Sequence, residues 1–135
     1  MVPRTLSFTS RHLFEIVGVG LLLVILGLQL FLSIRGTSQT WDEANHIYTG
    51  YRAWTHRDHG LNPEHPPMLK LIATAPLLSM PLTRPALGDR YFKEEAFLGG
   101  KDFLYKNDAD KILLRARLAA ATVTFLLAIV VYVAT

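Results

Sequence analysis

The strongest constraint on this chain is a run of nineteen uncharged residues from Ile16 to Ile34. Within this run only Gln29 and Ser33 are strongly polar. A helix of that length extends roughly 28 Å, which is close to the roughly 30 Å hydrocarbon core of a bilayer. A second uncharged run of eighteen residues begins at Leu118 and continues to Thr135. The sequence therefore predicts an all-α integral membrane protein with two transmembrane helices.

These two spans divide the chain into four predicted parts. They are a cytoplasmic N-terminal segment (1–15), a first transmembrane helix (16–35), an extracytoplasmic loop (36–112) and a second transmembrane helix (113–135). No loop or basic flank follows the second apolar run. We therefore expect the chain to be the N-terminal portion of a longer protein.

A cleaved signal peptide is the alternative for the first span, because Arg4 and Arg11 precede it. The apolar run is longer than the 7 to 15 residues typical of a signal peptide, and residues 31–35 contain no small-x-small cleavage site. We therefore favour a transmembrane helix.

The basic residues give a divided signal for orientation. Arg4 and Arg11 favour a cytoplasmic N-terminus, whereas Arg35, Arg115 and Arg117 flank the spans on the other side. The positive-inside rule has less weight for a loop longer than about 60 residues. We predict that the loop lies outside a bacterial-type plasma membrane.

Composition excludes several classes of site. The chain has no cysteine, so it forms neither disulfides nor thiolate metal sites. Acidic and basic residues are nearly balanced and interspersed between the spans, which gives no indication of nucleic-acid binding.

The loop carries signals for two amphipathic interfacial helices. Thr40 and Glu43 have the spacing of a capping box, which predicts a helix over about 41–57. Its apolar residues recur at helical spacing and include aromatic side chains suited to a membrane interface. They are Ala44, Ile47, Tyr48, Tyr51 and Trp54. Pro66 and Pro67 suit the first turn of a second helix, over about 66–78.

The signals weaken between residues 83 and 110, where Pro85, Gly88, Gly99 and Gly100 interrupt the pattern. The triplet at 93–95, Lys-Glu-Glu, is interpreted as solvated charge. A short helix from about Asp108 is expected to lead into the second span.

Asp42 and Glu43 are the first candidate catalytic residues. One interpretation is structural, because acidic residues in a first helical turn complement the helix dipole. The other is that Asp42 acts as a general base on an attacking hydroxyl group, since a carboxylate accepts a hydrogen bond while it is ionised. His46 lies one turn further on and could orient Asp42.

Glu64 and His65 precede the Pro-Pro step, which restricts His65 to extended conformations and presents both side chains rigidly. Lys70, Arg115 and Arg117 are candidates for binding phosphate, and only one of the two arginines can face inward because they are two positions apart on a helix. Snorkelling at the headgroups is the alternative for an arginine in this position. No histidine pair has a recognised metal-ligand spacing.

The order of these parts resembles the N-terminal part of GT-C glycosyltransferases of the protein O-mannosyltransferase and lipid A aminoarabinose transferase group. The resemblance rests on the Asp42-Glu43 pair after a span, the Glu64-His65-Pro-Pro step that leads to Lys70, and Arg117 at the start of the next span. It implies a partial GT-C fold and a membrane enzyme that moves a sugar, with inversion, from a polyprenyl-phosphate carrier to an acceptor hydroxyl on protein, lipid or glycan.

The resemblance also implies roles for individual residues. Asp42 matches the catalytic base, and Glu43 matches the second acid of the pair. Glu64 and His65 match an acid and a basic residue beside the carrier phosphate, although the basic residue in the aminoarabinose branch is lysine. Arg117 matches an arginine of the donor site. The longer family members imply that this portion is inactive alone.

Two alternatives stay open. A divalent metal ion is not required by the sequence, but Glu43, His46 and Glu64 are weak candidates for binding one. A small, non-catalytic two-span protein that binds a membrane partner is the competing functional class. In that class Asp42 and His65 tolerate replacement.

Overall fold

The computed structural model describes residues 8–135, and side chains from residue 12 onward. The described residues form α-helices and one 3-10 helix, with no strand among them. The helices are α1 Phe8–Gly36, α2 Glu43–His56, α3 Pro67–Thr74, the 3-10 helix Ala75–Ser79, α4 Phe92–Tyr105 and α5 Ala109–Ala134. This confirms the prediction of an all-helical chain.

Two helices are long and apolar enough to cross a membrane, namely His12–Gly36 within α1 and Ala109–Ala134, which is α5. Their apolar stretches are only 0% and 6% buried within the protein. Of the predicted N-terminal segment 1–15, residues 1–7 lie outside the described part. Residues 8–15 already belong to α1.

α2 lies at the centre of the remaining helices and packs against α3 and α4. It begins at Glu43, after a turn, and ends at His56, followed by Arg57 in the left-handed conformation (φ 55°). Four of its predicted apolar residues are buried in the core. These are Ala44, Ile47, Tyr48 and Tyr51.

α4 approaches α2 closely through two adjacent glycines. A Cβ atom on Gly100 would lie 2.7 Å from the backbone carbonyl of Ala44, and one on Gly99 would lie 2.6 Å from the ring of Tyr48. Because neither position has room for a side chain, glycine allows the two helix backbones to touch. These glycines are contact points within a helix, not the breaks that the sequence pattern indicated.

The interpretation of residues 93–95 as solvated charge is wrong for Glu95. This residue is 2% exposed and accepts hydrogen bonds from the Gly88 N–H and from Arg90 Nε, both at 3.0 Å. The Gly88 N–H lowers the pKa of Glu95, and Arg90 acts in the same direction against the effect of burial. Glu94 is exposed. Of the two adjacent acids, Glu95 is therefore the one whose hydrogen bonds join the preceding loop to α4.

α3 begins with Pro67 in its first turn, where a missing N–H costs no helical hydrogen bond. The chain continues as a 3-10 helix through Pro76. Gly50 of α2 lies against the Lys70 carbonyl, where an added Cβ would be 2.7 Å from the oxygen. The Trp54 indole N–H donates to the Leu71 carbonyl at 2.9 Å, so α2 and α3 are joined by both packing and a hydrogen bond.

α5 joins the loop helices to the second apolar stretch without interruption. Asp108 caps it by accepting a hydrogen bond from the Lys111 N–H at 3.0 Å. Its first turns bury Ile112, Leu113 and Ala116, and the helix packs against α3 and the 3-10 helix. The core of the loop helices therefore includes the start of α5.

Candidate functional site

Arg117 and Glu43 form a two-point ion pair between α5 and the start of α2. Nε of Arg117 lies 2.6 Å from Oε1 of Glu43, and Nη2 lies 2.7 Å from Oε2. Both side chains are largely buried, at 14% and 17% exposure. The remaining guanidinium hydrogens donate to carbonyl oxygens at the end of α1 and just after it. These belong to Ile34 (3.2 Å), Thr37 (2.8 Å) and Ser38 (2.9 Å).

The predicted capping box is only half formed. Oε2 of Glu43 accepts a hydrogen bond from the Thr40 N–H at 3.2 Å, as expected. The Thr40 hydroxyl, however, donates to Oδ1 of Asp42 at 3.4 Å, and the Glu43 N–H donates to the Thr40 backbone carbonyl. The hydroxyl is diverted because Trp41 and Asp42 form a turn before the helix begins.

Asp42 is the accessible carboxylate of the pair. Its side chain is 57% exposed, and Oδ2 lies 3.4 Å from Nε2 of His46. Glu43, by contrast, is neutralised by Arg117. The structure thus gives two adjacent acids different surroundings, with Asp42 facing a cavity rim and Glu43 fixed to α5.

A cavity of about 550 Å³ lies between the loop helices and α5. Five of the six predicted site residues line it. They are Asp42, Glu43, His65, Lys70 and Arg117. His46 also lines this cavity, and the rest of the wall is mostly apolar, from Met68, Leu69, Ala116 and Ala120 among others.

His46 is held between Asp42 and Asn62. Nδ2 of Asn62 lies 3.5 Å from Nδ1 of His46 and 3.2 Å from Oδ1 of Asn45. An amide donor at Nδ1 favours the tautomer with its hydrogen on Nε2, which faces Asp42. Burial lowers the pKa of His46 below its ordinary value of 6.5, and this outweighs the opposing effect of Asp42.

Lys70 of α3 supplies a cation at the wall of the cavity. Its Nζ donates to the Asn62 carbonyl at 2.9 Å, and burial lowers the pKa of the ammonium group. The rings of His46 and His65 meet edge to face, with centroids 4.9 Å apart. These contacts bring the polar groups of α2 and of the Pro-Pro step to one place.

Glu64 is the predicted site residue that lies outside the cavity. Its Oε1 is paired with Nζ of Lys93 at the start of α4, at 2.6 Å. Glu43 and Glu64, two of the three weak metal candidates, are therefore each paired with a cation. In the part of the chain that the structure describes, no three His, Asp or Glu side chains are grouped to hold a metal ion.

The cavity adjoins an apolar groove of about 420 Å³ between α1 and α5. The two spaces share Thr40, Glu43, Leu69, Arg117 and Ala120. Deeper in the groove the walls are Leu30, Ile34, Val123 and Leu127, among others. The cavity that holds the candidate site residues thus opens directly onto a space between the two candidate membrane helices.

Sequence reasoning missed Asn45 and Asn62. Each is buried, at 7% and 8% exposure, and both contribute to the polar network around His46. A single asparagine within a helix or loop has no distinctive spacing, so no signal in one sequence separates these two from an ordinary surface amide.

Comparison of the chain with protein families, with curated proteins and with solved structures finds no match. The geometry of the cavity is therefore the basis for any functional conclusion.

Proposed function

We propose that this protein is part of a membrane transferase that moves a sugar from a polyprenyl-phosphate carrier to an acceptor hydroxyl, with Asp42 as general base. The observation that carries this proposal is the convergence of Asp42, His65 and Lys70 on one cavity that opens between two candidate membrane helices. A lipid-linked, anionic substrate needs both an apolar path for its tail and cations for its phosphate, and this cavity provides both kinds of surface.

The proposed reaction assigns separate tasks to the carboxylate and the cations. Asp42 accepts the proton of the acceptor hydroxyl while the acceptor oxygen bonds to the anomeric carbon. The bond from that carbon to the carrier phosphate oxygen breaks, and its electron pair leaves with the phosphate. Lys70, with the imidazole of His65 beside it, stabilises the negative charge that develops there.

Glu43 and Arg117 are positioning residues in this proposal. Every N–H of the Arg117 guanidinium group donates to Glu43 or to one of three backbone carbonyls. Arg117 therefore holds the turn that carries Asp42 against the end of α1. His46 orients Asp42 through Nε2. The protein would lie in a plasma membrane with its loop helices on the extracytoplasmic side.

The test uses membranes that contain the protein expressed from its native gene. Release of polyprenyl phosphate from radiolabelled polyprenyl-phosphate hexose or pentose is measured for Asp42→Asn and for the control Asp102→Asn, which alters an exposed acid paired with Lys106. Loss of a general base lowers the rate by about 100-fold to 10,000-fold. Equal rates for the two variants would rule out the role given to Asp42.

The second candidate function is a non-catalytic subunit that binds a membrane partner. It is favoured by Trp41, which is 85% exposed and packs against Phe97 with a centroid distance of 5.4 Å and ring planes tilted by 39°. On this alternative Trp41→Ala disrupts the function while Asp42→Asn and His65→Ala leave it intact. The same set of variants therefore separates the two candidates.

A further inference from the structure

A second, smaller pocket of about 200 Å³ meets the cavity at Asp42. It lies between residues 61–65 and the first turns of α4, and none of the residues that line it belongs to α1 or α5. Asp42, His46 and His65 line both spaces, so these three side chains form the wall between them. A group bound in this pocket would reach Asp42 from the side opposite the membrane helices.

Asn45 and Asn62 line this pocket and have hydrogen-bonding capacity to spare. Nδ2 of Asn62 donates to Oδ1 of Asn45, and both side chains are more than nine-tenths buried. Nδ2 of Asn45 and Oδ1 of Asn62 have no partner among the side chains of residues 12–135. Turning both amides over exchanges their roles but still leaves one donor and one acceptor.

An unpaired donor beside an unpaired acceptor is complementary to a hydroxyl group, which both donates and accepts. Neither atom is among the fully buried polar atoms of the described residues that lack a partner, so both stay accessible to a molecule in the pocket. The other lining residues are Leu61, Phe92 and Phe97, together with the ion pair of Glu64 and Lys93. Aromatic faces next to polar groups fit a ring with C–H faces and hydroxyl edges.

We propose that this pocket binds a single hydroxylated ring, a sugar unit of the acceptor, and presents one of its hydroxyls to Asp42. The pocket is smaller than the roughly 300–1,000 Å³ of sites for drug-sized ligands, so it holds one ring. Only the role as acceptor rests on the proposed function. Binding of the ring rests on the pocket itself.

The experiment uses the absence of native cysteine. Lys93→Cys places a thiol at the pocket, and Lys101→Cys places a control thiol on the exposed surface of the same helix. Labelling by a water-soluble maleimide is timed with and without methyl hexopyranosides. Because only unoccupied protein reacts, a sugar at about four times its Kd slows the reaction at position 93 about fivefold. The reaction at position 101 stays unchanged.

Two further variants, made in the Lys93→Cys background, test the recognition chemistry. Asn45→Asp removes the free amide donor, and Phe97→Leu removes an aromatic wall while keeping an apolar side chain. Each is expected to abolish protection by the hexosides. Protection that survives both changes would overturn the assignment of the pocket.

The remaining outcomes are equally decisive. Absence of protection by any hexoside, or protection by a threonine-containing peptide and not by a sugar, overturns the sugar site. Labelling requires no donor, so it is independent of the Asp42→Asn assay. If the hexosides protect position 93 but Asp42→Asn retains transfer, the proposed function fails and the binding pocket stands.

Discussion

Arg117 of α5 joins Glu43 of α2 through two hydrogen bonds of 2.6 Å and 2.7 Å while the same guanidinium group donates to carbonyls at the end of α1. One side chain therefore connects both candidate membrane helices to the turn that carries Asp42. The arrangement places a largely buried, two-point ion pair where α1, α2 and α5 meet.

Replacement of this arginine by lysine is expected to destabilise the protein. In Arg117→Lys a single ammonium group replaces a planar fork, so it cannot bind Glu43 at two points and also serve three carbonyls. We expect a loss of about 2–3 kcal/mol in the free energy of unfolding, measured by denaturant titration in detergent. The matched variant Arg115→Lys, whose Nη1 donates to Ser79 and Pro76, should lose less than about 1 kcal/mol. Equal losses would contradict the special role of Arg117.

The contact between α2 and α4 predicts the effect of adding one methyl group. In Gly100→Ala the new Cβ would lie 2.7 Å from the Ala44 carbonyl, and the backbone atoms there cannot rotate away. The helices must separate, at a cost of about 1–3 kcal/mol in unfolding free energy. Gly20→Ala is the control, because nothing in the protein lies within 4 Å of its Cβ position. A stable Gly100→Ala variant would show that the two helices are not in contact.

Glu95 and Glu94 offer a matched pair of adjacent acids. Glu95→Gln removes the charge that binds the Gly88 N–H and Arg90, and we expect a loss of about 1–3 kcal/mol in unfolding free energy. Glu94→Gln alters an exposed side chain and should have little effect on the unfolding free energy.

The pKa of Glu95 is lowered in the folded state, so the stability that its carboxylate contributes is present above about pH 4.5 and is lost as the pH falls through the folded-state pKa. If both glutamates were solvated, Glu95→Gln and Glu94→Gln would have the same small effect on the unfolding free energy.

His46 predicts a pH dependence near neutrality. Burial lowers its pKa in the folded state, so the unfolded chain binds more protons as the pH falls below 6.5. Stability is therefore complete above pH 6.5 and falls as the pH drops through the folded-state pKa, by at most about 1.4 kcal/mol per pH unit. Of the neighbouring charged groups, Asp42 raises the pKa of His46, whereas His65 and Lys70 lower it.

The measurement for His46 is unfolding free energy over a pH series for the native protein, His46→Gln and His59→Gln. The slope between about pH 5 and about pH 7 should diminish in His46→Gln and persist in His59→Gln, which alters an exposed histidine. A slope that is unchanged in His46→Gln would assign the pH dependence to another group.

Hydropathy was sufficient to predict the two long apolar helices, because an uncharged run that as a helix is about as long as a bilayer core is thick leaves few other folds. Asp42, His65 and Lys70 could be singled out as candidates because they stand at a turn, before a Pro-Pro step and on the helix that follows it. That all three line one cavity depends on the packing of α2 against α3, which these local signals do not give.

The contacts of α4 could not be predicted in the same way. Gly99 and Gly100 look like helix breaks when taken alone, and only the neighbouring Tyr48 ring and Ala44 backbone explain them. Apolar residues at Ala96, Phe103 and Leu104 carry a helical signal that the glycines obscured. The ion pair of Arg117 with Glu43 spans 74 residues of sequence, a separation at which a single sequence gives no indication of contact.

α5 extends without a break from the packed loop helices through the second apolar stretch, over about 39 Å for its 26 residues. Ile112, Leu113 and Ala116 of this helix are buried in the core, and Arg117 is hydrogen-bonded to α1. A tilt of α5 would therefore carry the packed loop helices with it. A thinner bilayer that makes α5 tilt must also rotate the cavity and Asp42 relative to the membrane surface. On the proposed function, lipid thickness would set the angle at which a lipid-borne substrate meets the carboxylate.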